Sequence, residues 1–224
     1  MLKIVLLPGL DGTGILFEPL IAVLPKQYEL VVISYPLDRK LNYEELVGYV
    51  CEKLPQEDYL LIAESFSGYI AYKIAQRKPD NLKEIIFVAT FLQNPRPVLS
   101  KYFLKLPLKF MLSLPFPKIL VKKYLLGKKM DIKLFQLFRK SVKKVNKNVL
   151  IHRIKLISTL YPKLEKLNCK STYIQALDDK LVPPFCAENF QKYFVNSSII
   201  KIKGPHFLLQ ARAKEMMEIV VNAL

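Results

Sequence analysis

Six short stretches of the chain are predominantly apolar: residues 3–7, 29–34, 59–63, 82–90, 171–177 and 198–202. Between them, at 43–54, 67–77, 185–194 and 207–223, apolar positions recur with the spacing of one helical face. The first kind of run is too short for a helix and lacks the strict alternation of a strand with one wet face, so it predicts strands buried on both sides. The second predicts amphipathic helices. Buried strands alternating with helices imply an α/β fold, a mostly parallel sheet with helices on both faces.

Composition agrees with one compact unit. The chain has 224 residues, 51% of them hydrophobic, enough to bury one substantial core, and it contains no internal repeat or low-complexity tract. No uncharged run approaches the roughly 18 to 20 residues of a membrane span. Met1 to Leu10 is apolar but runs directly into a glycine-rich loop, which predicts a strand rather than a signal peptide. Cys51, Cys169 and Cys186 make an odd count without metal-type spacing, so the expected setting is reduced and cytoplasmic, with no metal and no cofactor.

The candidate chemistry lies at the ends of the apolar runs. Ala63, Glu64, Ser65, Phe66, Ser67 and Gly68 follow one of them and precede a helical stretch. A serine on so tight a strand-to-helix turn is forced into strained backbone angles and held outward, provided the residues two before and two after are small. Here they are Ala63 and Ser67, where GxSxG has glycines. A helix N-cap is the plainer role for such a serine, so the nucleophile reading depends on partners elsewhere.

Only two histidines are present to serve as a base. His152 sits among Lys147, Arg153 and Lys155, a cationic setting that lowers imidazole basicity and offers no carboxylate. His206 follows the apolar run 198–202 through Lys203, Gly204 and Pro205, which places it on a loop at a strand's end, as base or as a cap for the next helix. Asp178 and Asp179 end the run 171–177; either can orient the histidine, and an Asp turn or cap accounts for the other. The order serine, aspartate, histidine is that of an α/β hydrolase and not of the two unrelated serine-protease arrangements. Behind the first run, Gly9, Gly12 and Gly14 read GxxGxG, the reverse of the dinucleotide fingerprint, and no P-loop lysine follows. In a hydrolase such a loop presents a backbone N–H to the developing oxyanion, and the residue after the nucleophile presents the other. The donors are then Leu10 and Phe66.

LPGLDGTG, AESFSG, LDDKLVPP and GPHFLLQ occur in that order along the chain, and with them it resembles the α/β-hydrolase superfamily. It is similar in particular to small bacterial hydrolases that carry LPGLDGTG and ESFSG together. The resemblance implies catalytic Ser65, Asp179 and His206, because the family's acid is usually followed by two residues and then Val-Pro. It also places the oxyanion donors at Leu10 and Phe66. Pro8 departs from the histidine of many relatives, and the glycines around Ser65 are missing, but neither change removes a reacting group. The family spans esterases, lipases, thioesterases, acyltransferases and peptidases, so the likeness implies chemistry better than substrate.

Charge changes the picture last. The net charge is +16, yet Arg96 to Lys170 alone holds 20 Lys or Arg against Asp131 and Glu165, a net of +18, and the remainder is −2. The chain therefore divides into a core of residues 1–92 and 168–224 and a basic, apolar helical insert of 93–167, all within a single domain. In this family a helical lid is inserted there, between the strand ending near Thr90 and the one starting near Ser171. Within the insert, Phe103, Leu104, Leu106, Leu108, Phe110, Met111, Leu112, Leu114 and Phe116 form an apolar stretch with Lys101, Lys105 and Lys109 on one stripe. Leu134, Phe138, Val142, Val145 and Val149 form a second stripe, with Lys133, Lys140, Lys144 and Lys147 off it. Such a lid carries either a solvated basic face or a surface for anionic lipid, a membrane-peripheral contact. Nucleic acid is not expected, since no binding motif is present. The expected activity is a serine hydrolase cleaving an ester or thioester of an apolar, lipid-like or small-molecule acyl substrate. The alternatives are an acyltransferase with the same triad and a non-catalytic membrane-associated protein.

Overall fold

The computed structural model describes residues 2–98, 100, 117–127 and 132–223. The apolar stretch 103–116 with Lys101, Lys105 and Lys109 lies outside the described residues. Six strands, β1 (Lys3–Leu7), β2 (Glu29–Val32), β3 (Tyr59–Glu64), β4 (Leu82–Val88), β5 (Ser171–Ala176) and β6 (Ser197–Ile202), form one sheet in the order β2-β1-β3-β4-β5-β6. Every pairing is parallel. The α/β fold is as the apolar runs imply. Where β4 stops short of the expected residue 90, Ala89 has a left-handed φ of 45°, which turns the chain out of the sheet.

Successive residues of each strand face opposite sides, and in the four inner strands, β1, β3, β4 and β5, both sides are largely buried, whereas the edge strands β2 and β6 are partly exposed. On one face Val5, Leu7, Leu61, Ala63, Ile85, Phe87 and Tyr173 pack with α2 (Tyr43–Cys51), α3 (Gly68–Gln76) and the helix Phe185–Tyr193. On the other, Ile4, Leu6, Leu60, Ile62, Ile86, Val88 and Ile174 meet Met216, Met217 and Val220. The Asn42 side chain caps α2 and Glu45 returns the bond to the Asn42 backbone, which fixes where that helix starts. A short turn, Ile15–Phe17, and a one-turn helix, α1 (Glu18–Ile21), follow the first loop and carry too few residues to show a period.

The stripes of apolar residues run through two breaks. Helices α8 (Leu208–Ala211) and α9 (Ala213–Asn222) replace a single helix over 207–223, because Arg212 lies at φ −131°, ψ 37°. In the insert, α4 (Lys118–Val121) continues into a wide π-helical turn, Lys122–Leu126. Then α5 (Ile132–Lys144) and α6 (Lys147–Ser158) are separated at Asn146, whose side chain caps the second. Phe138, Val145 and Val149 are buried and Leu134 and Val142 partly so, so the stripe faces inward although it spans two helices. The helix Phe185–Tyr193 is α7 in this order. Among the described residues no helix is long and apolar enough to cross a membrane.

Strand order also locates the crevice. From β1 the chain moves out to β2, then back past β1 to β3 and onward, so the direction reverses between β1 and β3. In open parallel sheets that reversal leaves an opening at the carboxyl ends of the two strands. The loops after β1 and β3 are those of Leu10 and Ser65.

Candidate active site

The turn after β3 sets Ser65 at φ 49°, a left-handed conformation costly for any residue but glycine. Tertiary contacts hold it there: the Thr90 hydroxyl donates to the Ser65 carbonyl. The demand for a small residue is felt at Gly68, where a Cβ would strike Thr90 Oγ1 and come 2.9 Å from the Phe91 carbonyl. At position 67 the fold uses a hydroxyl instead: Tyr35 donates to Ser67, and Ser67 donates to the Pro8 carbonyl. That bond ties the turn of Ser65 to the loop after β1.

The loop itself is a tight turn closed by the Gly12 N–H on the Gly9 carbonyl, at 3.1 Å. Asp11 caps its far side, accepting from the N–H and hydroxyl of Thr13. A Cβ added to Gly9 would lie 3.7 Å from Ser65 Cβ, so the loop crosses directly beside the serine. Leu10 is the next residue along. Phe66 is in the first turn of the helix that follows Ser65, where an N–H has no partner within its own helix.

Two further strand ends complete the arrangement. After β5, Asp179 Oδ1 accepts from the N–H groups of Leu181 (2.7 Å) and Val182 (3.0 Å), which orient the carboxylate. Its Oδ2 accepts from His206 Nδ1 at 2.7 Å, and both side chains are buried. Asp178 is exposed, and its backbone N–H donates to the Gly204 carbonyl at 2.9 Å, holding the histidine's loop. The two aspartates are thus distinguished: Asp179 both shapes the turn and meets the imidazole. With Nδ1–H committed to Asp179, Nε2 is left to accept, and it lies 2.9 Å from Ser65 Oγ. His152 sits elsewhere, on α6, with Nε2 3.2 Å from the Leu41 carbonyl.

Burial pulls the His206 pKa down, but the charge and hydrogen bond of Asp179, aided by the charge of Glu64, hold it above the ordinary histidine value. Glu64 joins these groups, beside Gln210 and near His206. The last residue of β3, only 1% exposed, it is pushed up to about 7 by burial, against the opposing pull of a 3.0 Å bond from Gln210 Nε2 and the nearby His206. A carboxyl ending a wholly apolar run was the available signal.

The model of the family described as serine aminopeptidase, S33, matches residues 41–197, more than two thirds of the chain. That span includes Ser65 and Asp179 but neither Leu10 nor His206. In sequence no curated protein matches the chain. Among solved structures, it is similar to a lipase-esterase related protein from Clostridium acetobutylicum, with 17% identity, coverage of 100% of this chain and 94% of that one, and a TM-score of 0.79. The esterase EaEST from Exiguobacterium antarcticum aligns at 15% identity over 99% and 91%, with a TM-score of 0.81. RedJ, a thioesterase of the prodiginine biosynthetic pathway in Streptomyces coelicolor, aligns at 18% over 100% and 85%, with a TM-score of 0.72. At such identities the likeness shows the fold.

Proposed function

The chain belongs to the family described as serine aminopeptidase, S33, and is a hydrolase of the α/β fold; from that premise we propose that it cleaves an ester or thioester of an apolar acyl group through an acyl-enzyme on Ser65. The observation that carries this reading is the continuous chain Ser65 Oγ, His206 Nε2, His206 Nδ1, Asp179 Oδ2, with steps of 2.9 and 2.7 Å. His206 takes the Ser65 proton as Oγ bonds to the acyl carbon, and the carbonyl oxygen gains the electron pair. The N–H groups of Leu10 and Phe66 donate to that oxyanion. The imidazolium then gives its proton to the departing alcohol or thiol, and a water, deprotonated by the same nitrogen, releases the acid. Asp179 holds the imidazole in the required tautomer and stabilises its charged form.

The charge of residues 93–167 bears on substrate. An aminopeptidase must receive a cationic N-terminus, and a region this basic disfavours a cation on approach while favouring neutral or anionic acyl compounds. We place these residues as a lid over the site. Val121, Leu126, Phe135 and Phe138 pack on Leu16, with Phe207, the neighbour of His206, partly buried against them. Outward, Ile119, Leu120, Tyr124 and Ile132 are exposed among Lys118, Lys122, Lys123 and Lys133. Apolar side chains ringed by lysines suit an anionic lipid surface, with headgroups meeting the ammonium groups.

Labelling by a fluorophosphonate tests the chemistry. The protein should be labelled and Ser65→Ala should not; equal labelling of both would sink the proposal. A series of chromogenic esters of increasing acyl length then reads the substrate, with longer chains expected to be the better ones.

A further inference from the structure

The insert sends one cation into the core. Arg153, on α6, is 2% exposed, and its guanidinium contacts the loop after β1. Nη1 donates to the carbonyls of Leu10 (2.9 Å) and Asp11 (2.8 Å), and Nη2 donates to the carbonyl of Pro36 (2.9 Å). The plane lies over the Tyr35 ring at 5.6 Å, and the Tyr35 hydroxyl begins the relay through Ser67 to the Pro8 carbonyl. Gly12 leaves the space it occupies: a Cβ there would collide with Nη1. A buried guanidinium with three carbonyl partners is costly to install and strongly directional once installed.

What it directs follows from peptide planarity. Each amide is planar and trans, so fixing a carbonyl fixes the N–H on the same plane, pointing the other way. The Gly9 carbonyl is fixed by the Gly12 N–H, and it shares its plane with the Leu10 N–H. That turn is only as rigid as its two central residues, Leu10 and Asp11, and Arg153 holds the carbonyls of both. Leu10 is thereby clamped on either side of its Cα.

We propose that Arg153 is a positioning residue for the oxyanion donor: carried by the insert, it fixes the peptide planes of residues 9–12 so that the Leu10 N–H faces the oxygen developing on the substrate attacked by Ser65. This rests on the reading of Ser65 as nucleophile and of the Leu10 N–H as donor. An oxyanion donor acts on the transition state and hardly on bound substrate. Its displacement should therefore appear in kcat and not in KM.

The test uses Arg153→Met and Arg153→Lys, assayed on a small soluble ester, with Ser65→Ala beside them. A trifluoromethyl ketone supplies the second reading, because Ser65 Oγ adds to its carbonyl carbon, the proton passes to His206, and the oxygen becomes an oxyanion. In Arg153→Met, kcat should fall ~10- to 100-fold with KM within about twofold, and affinity for the ketone should fall by the same factor as kcat/KM. In Arg153→Lys, a single ammonium cannot reach three carbonyls, and the loss should be smaller, ~3- to 10-fold, with the ketone again in step. If the methionine variant does not fold, the lysine variant decides alone. Unchanged kcat, or a loss of kcat without the parallel loss of ketone affinity, overturns the proposal, including where thermal stability drops. An active Ser65→Ala would instead remove the reading on which it rests, and an inactive one beside normal Arg153 variants leaves that reading intact while ending this one.

Discussion

The strand-end loops and the insert are built on opposite plans. In the core, net −1, three polar side chains near Ser65 are each fixed by a named partner: Asp179 by two backbone N–H groups, Glu64 by the Gln210 amide, Ser67 by the Pro8 carbonyl. In the insert, net +17, Lys122, Lys123, Lys133, Lys140 and Lys144 stand in solvent, and Arg153 alone among the described cations there is buried. Position carries the chemistry in the first region and composition carries it in the second. A single change should accordingly be decisive in the core and nearly silent on the insert's outer face.

The largest expected effect lies at the hydrogen-bonded chain. Ser65→Ala or His206→Ala should each lower turnover of a simple ester by at least ~10³-fold, with the double variant little worse, since the two act as a unit. Near-normal turnover in either would erase the contrast between the regions. Next is the pair of adjacent aspartates. Asp179→Asn should cost ~10²- to 10⁴-fold in kcat, whereas Asp178→Asn, altering an exposed side chain, should cost far less. A reversal in steady-state kinetics would mean that the observed bond between Asp179 and His206 is not the one used.

Glu64 distinguishes the core from the insert through pH. Its folded-state pKa of about 7 lies above the ordinary 4.5, so between those values the folded chain holds more protons than the unfolded one, and stability falls as pH rises through that window. Glu64→Gln removes this penalty while keeping an acceptor for Gln210. The variant should match the parent near pH 4 and exceed it at pH 8 by up to about 3 kcal/mol in denaturant unfolding. A gain that is the same at both pH values would mean that the carboxyl does not titrate as described. Because Glu64 also supports the charge on His206, the acid limb of kcat/KM, which should lie above the ordinary histidine pKa in the parent, should move to lower pH in the variant.

The smallest effect on chemistry is expected from Lys122, Lys123 and Lys133 changed together to glutamine. Hydrolysis of a soluble ester should be almost unaltered, while sedimentation with phosphatidylglycerol vesicles at low salt should weaken. Exposed charges act over only about 8 Å at physiological ionic strength, so the parent's binding should itself fade as salt is added. Equal sedimentation with neutral and anionic vesicles would reduce the charge to a solvated face.

The same division governs what the sequence discloses. Apolar runs buried on both faces disclose strands because nothing else satisfies so short a segment, and the turns after them disclose Ser65 and His206 because few residue types suit them. The choice between Asp178 and Asp179 needed a family resemblance, since either side chain can turn the chain and only folding decides which one meets the histidine. Breaks at Asn146 and Arg212 are hidden because an apolar stripe keeps its period across an interrupted helix. Arg153 was visible as an anomaly: it stands four residues after Val149, at the next inward position of the stripe Phe138, Val142, Val145, Val149. A charge on an apolar face calls for a partner, yet its partners are backbone carbonyls, which no side-chain pattern records.

The left-handed Ser65 has a consequence for stability. A serine at φ 49° costs of order 1–3 kcal/mol, a sizeable part of the margin that keeps a domain folded. Glycine, asparagine or aspartate would sit there with less strain. Replacing Ser65 with any of the three should therefore raise stability. On the proposed reading of Ser65 as nucleophile, that strain is the stability given up to hold its hydroxyl 2.9 Å from His206 Nε2.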